Sequence, residues 1–347
     1  MKVEPNRLKE VAIQILKGLQ ATDEEAAVVA ESLVQADMRG IDTHGVHLLT
    51  ILSERVDAGM LQIPTNLAIL KESNATALID GANGLGQVAV HKAMTMSVRK
   101  ARDFGVGCSL VRNTNNIGIL SFYTLLAAKS GMVGIVMSNA APAMSPWGGA
   151  EAFFGTNPIS VAIPGGTEDP AIVLDMSSSV VARGKIRRAA RLKEKIPEGW
   201  AFDETGVSTT DAVKALKGTL MPIGGPKGSG LAMVVDILAG LLSGSKYGSE
   251  VVTFHQLMGP TGVGVFTLAI DIERFMDRSQ FQKLVQAYFT TIKASKKADG
   301  VSRIYLPGEI EFEKEKESMK DGIEVSEGVA KNLDLLLERV KSPMRLV

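Results

Sequence analysis

Apolar residues recur at helical spacing along the first sixty positions of the chain. Between Leu8 and Leu19 they fall three or four residues apart, which is the period of one helix face. Thr22 followed by Glu25 has the sequence of a capping box, so a second helix is predicted to begin there. Leu48–Ala58 repeats the helical pattern and ends at Gly59. The chain is therefore predicted to begin with three amphipathic helices.

Short β-like runs alternate with helical segments through the middle of the chain, which predicts an α/β fold. The predicted strands are Ala75–Asp80, Val106–Val111, Val133–Met137, Ser160–Ile163, Ile172–Asp175 and Val265–Ile270. The predicted helices after the first three are Val90–Ala101, Ser121–Lys129, Arg278–Ser295 and Ser326–Val340. We find no internal repeat and no low-complexity linker, so interleaved lobes are expected.

Two further segments have unusual composition. The charged run Glu309–Lys316 is predicted to be a solvated face. The apolar run Leu231–Leu242 contains Asp236 and is too short to span a bilayer, so it is predicted to be a buried helix.

Composition excludes several classes of protein. The 347 residues are 45% hydrophobic, and 38 basic side chains balance 38 acidic ones. Because no charge of one sign predominates, we expect no nucleic-acid partner and no membrane partner. The N-terminus has no apolar leader, and the single cysteine, Cys108, fits a reducing compartment, so a cytoplasmic location is expected. Cys108 lies in a predicted strand and is interpreted as a small hydrophobe rather than a nucleophile.

Two of the four histidines, His44 and His47, follow the second predicted helix and flank Gly45. An imidazole held at the end of a helix can present a proton donor to a small substrate. A surface histidine, or one with a satisfied hydrogen bond, is the alternative. The four histidines are mostly scattered along the sequence and no cysteine pair is present, so no metal site is predicted.

Three glycine- or hydroxyl-rich segments have the composition of nucleotide-binding loops. Gly81–Gly86 follows a strand, but its third glycine position holds Ala89, so a tight turn is favoured over a Rossmann fingerprint. Asp175–Ser179 ends a predicted strand and suits ribose or phosphate, with a helix N-cap as the alternative. Gly224–Gly230 contains Lys227 and suits an anion, with a flexible turn as the alternative.

Taken together, these segments resemble the type-2 malate/L-lactate dehydrogenase family, which includes sulfolactate, ureidoglycolate and diketogulonate oxidoreductases. The resemblance covers nearly the whole chain, with agreement in both order and spacing. The matching runs are Ala36–Gly45, Gly84–Gln87, Gly148–Gly149, Gly155–Pro158, Asp175–Met176, Ala182–Lys185, Ile196–Trp200, Gly224–Gly228 and Leu306–Glu309.

The resemblance implies an α/β fold that is not a Rossmann fold, with a mixed sheet and helices from both termini. An N-terminal helical region, 1–72, is expected to pack with the C-terminal segment 300–347. The stretch 73–299 is then the mixed α/β region that binds cofactor and substrate. A homodimer with the cofactor site near the subunit interface is also implied.

The resemblance also implies roles for particular residues. His44 matches a proton donor, and Asp175 matches an acid that orients or tunes it. Thr156 falls in a matched run and is assigned to the substrate. The implied contacts to NAD or NADP are Ile172, Val173, Leu174, Asp175, Met176, Ser177, Ser178, Pro226, Lys227, Gly308, Glu309 and Ile310.

Two positions depart from the family pattern at the substrate end of the site. Leu48 stands where the family has an arginine, which can clamp a carboxylate as leucine cannot. Asn116 stands where the family has a histidine, and an amide carries no charge. We therefore expect weaker binding of a dicarboxylate such as malate, and an altered or narrower substrate.

The sequence predicts an NAD(P)-dependent oxidoreductase that transfers a hydride between nicotinamide and a small 2-oxo or 2-hydroxy acid. The malate, lactate and sulfolactate type is the leading interpretation. Two alternatives stay open. One is an imine or ureido-acid oxidoreductase of the same family, and the other is a catalytically silent dinucleotide-binding homologue.

Overall fold

A mixed sheet of seven strands lies at the centre of the computed structural model, which describes residues 1–166 and 172–346. The strand order is β2-β3-β4-β10-β5-β6-β7, and only the β3–β4 pair is parallel. The strands are β2 Ala68–Glu72, β3 Thr76–Asp80, β4 Val106–Thr114, β5 Met132–Ser138, β6 Ile159–Ile163, β7 Ile172–Met176 and β10 Val263–Asp271. Two-stranded pairs join β1 (Lys2–Val3) to β11 (Ile323–Glu324), and β8 (Ala201–Phe202) to β9 (Ser208–Thr209). The predicted α/β class and mixed sheet are confirmed.

Helices cover the sheet and extend beyond it toward both termini. They are α1 Pro5–Gly18, α2 Asp23–Met38, α3 Leu48–Asp57, α4 Gly86–Phe104, α5 Ser121–Lys129, α6 Arg183–Leu192, α7 Ala212–Lys217, α8 Pro226–Val235, α9 Arg278–Ala294, α10 Glu309–Asp321 and α11 Glu327–Arg339. The predicted capping box forms: Thr22 accepts from the Glu25 N–H, and the Glu25 carboxylate accepts from the Thr22 N–H.

The two ends of the chain share one hydrophobic core. Helices α1, α2 and α3 bury their apolar faces against α11, and Leu8, Leu33 and Leu337 are fully buried there. The β1–β11 pair joins the termini directly, with Val3 opposite Ile323. Because α3 begins immediately after the His44 segment, this core fixes one end of that segment.

The charged run near the C-terminus is a helix, α10, none of whose residues is fully buried, although Phe312 packs against a small core cluster that contains Val173. The helix docks against the end of α2 through an ion pair in which the buried Arg39 guanidinium donates to Glu315 at 2.8 Å. Arg39 also lies over the ring of Phe312, 4.9 Å from its centre. This contact places α10 beside the end of α2, just before the His44 segment.

The prediction of one buried helix over Leu231–Leu242 is wrong. Helix α8 ends at Val235 and continues as a π-helical turn, Asp236–Leu241. Only part of this stretch is buried. The apolar side chains that remain exposed are Met233, Val234, Ile237, Leu241 and Leu242. Periodicity within the stretch did not distinguish a buried helix from one with an uncovered apolar face. No helix of residues 1–166 and 172–346 is long and apolar enough to cross a membrane.

Candidate active site

His44 ends a short 3-10 turn, Asp42–His44, between α2 and α3. Its Nδ1 lies 3.0 Å from the Thr43 hydroxyl, and the residue is half-buried. Burial lowers the pKa of His44 to about 4, with further lowering by the nearby His47 and His255 and an opposing effect of Asp42. The imidazole is therefore neutral at pH 7 in this structure, ready to accept a proton.

Asp37 stabilises the turn that carries His44. Its Oδ2 accepts the Val46 N–H at 2.8 Å, and its carboxylate lies directly against Gly45. An added Cβ at Gly45 would come within 1.8 Å of Oδ1, so only glycine fits at this position. Burial raises the pKa of Asp37 to about 7, with the Val46 N–H opposing and Asp42 adding to the rise. This contact fixes the backbone that follows His44.

His255, which is distant in sequence, lies close enough to the two histidines of this turn to interact with them electrostatically. His47 follows His44 by three residues, and His255 belongs to the loop before β10. The charge of His255 acts on His44, and that of His47 acts on His255. Burial lowers the pKa of His47 and of His255. In residues 1–166 and 172–346, no three His, Cys, Asp or Glu side chains are arranged to hold a metal ion.

A buried arginine holds the loop that carries His255. Arg55, on α3, is fully buried and donates to the carbonyls of Phe254, Gln256 and Gly259 at 3.3, 2.7 and 2.7 Å. Its guanidinium also lies 5.2 Å from the centre of the Phe254 ring. Since α3 begins at Leu48, one short helix fixes both the His44 turn and the His255 loop.

The two positions that depart from the family pattern lie together. Leu48 is 3% exposed, and it lines a cavity of about 10 Å³ with Asn116 and Phe254. The remaining lining residues are Leu33, Leu52, Leu61, Leu85, Gly86, Gln87 and Asn115. The side-chain amide oxygen of Asn116 accepts a hydrogen bond from the Gly118 N–H at 2.9 Å. Neither residue carries a charge, and the cavity between them is about as large as one water molecule.

The segments assigned to the cofactor converge around β7. The Val173 N–H donates to the Pro307 carbonyl at 3.1 Å, and Gly308 packs against Val173. On the other side, the Ile223 N–H donates to the Ser178 carbonyl at 2.9 Å, just ahead of Pro226 and Lys227. The structure thus brings together Ile172–Ser178, the start of α8 and the start of α10.

Within residues 1–166 and 172–346, no hydrogen bond joins Asp175 to His44. Its Oδ2 instead accepts the Ser121 N–H at 2.7 Å, at the beginning of α5. Burial raises the pKa of Asp175 to about 6, while Ser121 and the charge of Arg39 act against the rise and Glu311 adds to it. Among the described residues, neither a hydrogen bond nor a charge interaction connects Asp175 with His44.

The other predicted residues differ in how free their side chains are. The Thr156 carbonyl accepts both the N–H and the hydroxyl of Ser178 at 2.8 Å, so the substrate and cofactor assignments adjoin. Lys227 is exposed, and within the described ranges its ammonium group makes no hydrogen bond or ion pair. Glu309 pairs with Lys293 and accepts the Leu306 N–H at 2.8 Å, so its carboxylate shapes the segment.

The remaining assigned side chains lie on the same segments. Leu174 and Ile310 are exposed, Ile172 and Met176 are half-buried at the ends of β7, and the Ser177 hydroxyl lies 3.0 Å from that of Ser179.

Sequence reasoning missed Arg187 and His255 at this site. Helix α6 approaches the His44 turn, so that a methyl group at Gly184 would lie 3.8 Å from the Thr43 methyl. Arg187 lies one turn farther along α6 and is close enough to His255 to lower the pKa of that imidazole. No local motif indicated either residue, because their proximity arises from segments far apart in sequence.

Comparison with known proteins agrees with this architecture. The family model described as malate/L-lactate dehydrogenase matches residues 3–334. The L-sulfolactate dehydrogenase of Methanocaldococcus jannaschii is 39% identical over 96% of this chain and 95% of its own length. The malate dehydrogenase of Pyrococcus horikoshii is 36% identical over 98% and 96% of the two chains. An NAD(+)-type ureidoglycolate dehydrogenase of Escherichia coli is 33% identical over 88% and 87%.

The fold is also similar to that of a solved relative. The structure of sulfolactate dehydrogenase from Methanocaldococcus jannaschii superposes with a TM-score of 0.94, and the alignment covers 100% of this chain and 98% of that one. The comparisons of sequence and of fold agree. The chain belongs to the malate/L-lactate dehydrogenase family, whose named members oxidise hydroxy acids.

Proposed function

We propose that this enzyme transfers a hydride between NAD or NADP and a small 2-oxo or 2-hydroxy acid, with His44 as the group that gives and takes the proton. The observation that carries the proposal is the position of His44. Its ring ends a turn fixed by a hydrogen bond from the Val46 N–H to Asp37 and by the start of α3. Malate, sulfolactate and ureidoglycolate, the substrates in the relatives' names, are all small hydroxy acids.

His44 has the chemistry of an acid–base group for this reaction. When bound, the nicotinamide supplies or accepts the hydride. Neutral His44 can remove the hydroxyl proton of a hydroxy acid as the oxo group forms. In the reverse direction, His44 must carry a proton. An anionic substrate beside the ring favours that protonated form, because opposite charges stabilise each other.

The residues around β7 fit a dinucleotide. Lys227 extends free from the first turn of α8, where N–H groups and the helix dipole favour an anion such as a pyrophosphate. Gly224 and Gly225 have φ of +60° and +63°, conformations that side chains disfavour, so the chain turns sharply ahead of this helix. Asp175 and the Ser177 hydroxyl provide ribose hydrogen-bonding groups at the end of β7.

Substrate selectivity is expected to differ from that of relatives with an arginine at the position of Leu48. Neither Leu48 nor Asn116 carries a charge, so an acidic group of the substrate gains no ion pair from these two positions. We infer that the substrate places its charged end elsewhere in the site. An imine or a ureido acid as hydride acceptor is the alternative within the family.

We also propose that the enzyme is a homodimer in the cytoplasm. Five large apolar side chains along α8 and its π-helical turn are exposed, and a second copy of the chain would cover them. Ile237→Glu places a charge within that surface, and light scattering after gel filtration is expected to show a shift toward monomer. An unchanged mass, or a monomeric wild type, would contradict this assembly.

The function is tested by following NADH and NADPH oxidation against a panel of 2-oxo acids, cyclic imines and ureido acids. We expect turnover of at least one 2-oxo acid, and a loss of about 10²–10⁴-fold in His44→Ala. His91→Ala is the matched control, since His91 lies on α4, outside the turn. Turnover of imines or ureido acids alone would favour the alternative acceptors. Cofactor binding without turnover of any compound would indicate a silent homologue.

A further inference from the structure

Arg39 lies at the end of α2, just before the turn that carries His44. Its side chain is 4% exposed, and an arginine is rarely buried this deeply unless its charge is paired. The partner belongs to another element, because Nε and Nη2 of Arg39 donate to one carboxylate oxygen of Glu315, on α10, at 2.9 and 2.8 Å. A largely buried, charge-assisted contact thus joins the two helices.

Two further contacts hold α10 against the end of α2. The Ser318 hydroxyl donates to the Met38 carbonyl at 3.0 Å. Gly40 has φ of +70°, and an added Cβ there would lie 2.7 Å from the Lys314 ammonium nitrogen, so the Lys314 side chain covers this glycine. The stretch 314–318 of α10 therefore packs against the last residues before the His44 turn.

The first turn of α10 packs on the strand assigned to the cofactor. Gly308 lies against Val173, whose N–H donates to the Pro307 carbonyl at 3.1 Å. Phe312, one helical turn after Gly308, packs against the core cluster that contains Val173, and its ring centre lies 4.9 Å from the guanidinium carbon of Arg39. Arg39 therefore contacts the same turn of α10 that rests on the cofactor strand.

Short-range hydrogen bonds continue this connection from Arg39 into the His44 turn. The Gly40 N–H donates to the Asp37 carbonyl at 3.0 Å, and the His44 N–H donates to the Ile41 carbonyl at 3.0 Å. Because these bonds leave the intervening backbone little freedom, a displacement of Arg39 also displaces the imidazole.

We propose that Arg39 is a positioning residue, through which a dinucleotide bound at β7 and the start of α10 holds the His44 turn in the geometry for proton transfer. The proposal rests on the proposed function, because it requires the dinucleotide to lie at this strand. No residue of α10 is fully buried, so the position of this helix depends on a few contacts that a bound cofactor would reinforce. Arg39 transmits that order to His44 through the backbone of the turn.

Hydrogen exchange followed by mass spectrometry tests the proposal on the whole protein, with and without saturating NADH or NADPH. In Arg39→Met we expect the cofactor to protect 306–312 as in the wild type, whereas 40–48 exchanges about tenfold faster. We also expect kcat to fall about tenfold, with less than about a threefold change in the KM for the cofactor. Arg39→Lys retains the charge and should recover part of kcat. Glu313→Gln is the matched control, since Glu313 lies on α10 but pairs with Arg303.

Equal protection of 40–48 by the cofactor in Arg39→Met and in the wild type would overturn the proposal and leave the proposed function intact. Faster exchange throughout the sheet would also overturn it, because that result indicates a general loss of stability. If neither cofactor protects any segment, the proposed function fails and the coupling fails with it. If Arg39→Met does not fold, Glu315→Gln retains an acceptor for Arg39 and weakens the same contact, so 40–48 should exchange about threefold faster. An unchanged rate in Glu315→Gln would then reject the proposal.

Discussion

Replacing Asp37 by asparagine tests the physical account of the His44 turn. The Asp37 carboxyl accepts the Val46 N–H, and an asparagine carbonyl accepts it equally well. The substitution thus retains the hydrogen bond and removes the buried charge. We expect Asp37→Asn to be more stable than the wild type at pH 8 and close to it at pH 4.

The sign and size follow from the pKa of Asp37. Burial raises that pKa from 3.8 to about 7, so the folded protein holds this proton more tightly than the unfolded chain does. Stability from this group is complete below pH 3.8 and is lost as the pH rises through 7. Ionising a carboxyl with this difference costs about 4 kcal/mol, which screening at a partly exposed site reduces to about 2–4 kcal/mol.

The assay is urea unfolding of both proteins at pH 4, 5, 6, 7 and 8. We expect the difference in unfolding free energy, variant minus wild type, to grow in favour of asparagine across this range. Asp37→Ala is the control, because it removes the charge and also leaves the Val46 N–H without its acceptor. A difference that stays constant with pH would refute the assignment of a raised pKa to Asp37.

Three more substitutions test other parts of the account. Arg55→Met leaves the carbonyls of the His255 loop unpaired, so we expect urea unfolding to show a free energy of unfolding about 3–5 kcal/mol lower. Arg55→Lys should lower the free energy of unfolding by less. Gly45→Ala drives a methyl group into the Asp37 carboxylate, so turnover should fall at least about tenfold through displacement of His44; unaltered kcat would contradict that contact. Leu48→Arg buries a charge among apolar side chains, so we expect the same assay to show a free energy of unfolding about 3–5 kcal/mol lower. An unchanged free energy of unfolding would mean that the cavity admits solvent.

Local pattern predicted most strands of the sheet and most helices near the termini, but it missed strand β2 and helix α10. The predicted helix Ser121–Lys129 has the same bounds in the structure, and the predicted strands differ by one to three residues at their ends. The charged run beginning at Glu309 showed no apolar periodicity, although it forms α10. That helix is held by Arg39, which is distant in sequence, so local pattern carried no signal for it.

The site was predicted in its segments but not in its contacts. The resemblance placed Ile172–Ser178, Lys227 and Gly308 in one cofactor region, and in the structure they lie around one strand. It also suggested that Asp175 orients His44, yet that carboxylate accepts from Ser121. Direct contacts depend on rotamers and on helix placement, which sequence spacing does not specify.

The most direct test of the central claim is the fate of a labelled hydride. The protein would be supplied with NADH or NADPH deuterated at nicotinamide C4 and with its best 2-oxo acid, and the product analysed for deuterium at C2. We predict one deuterium at C2 in the wild type, and a rate about 10²–10⁴-fold lower in His44→Ala with cofactor still bound. Product without deuterium at C2, or an undiminished rate in His44→Ala, would contradict the account.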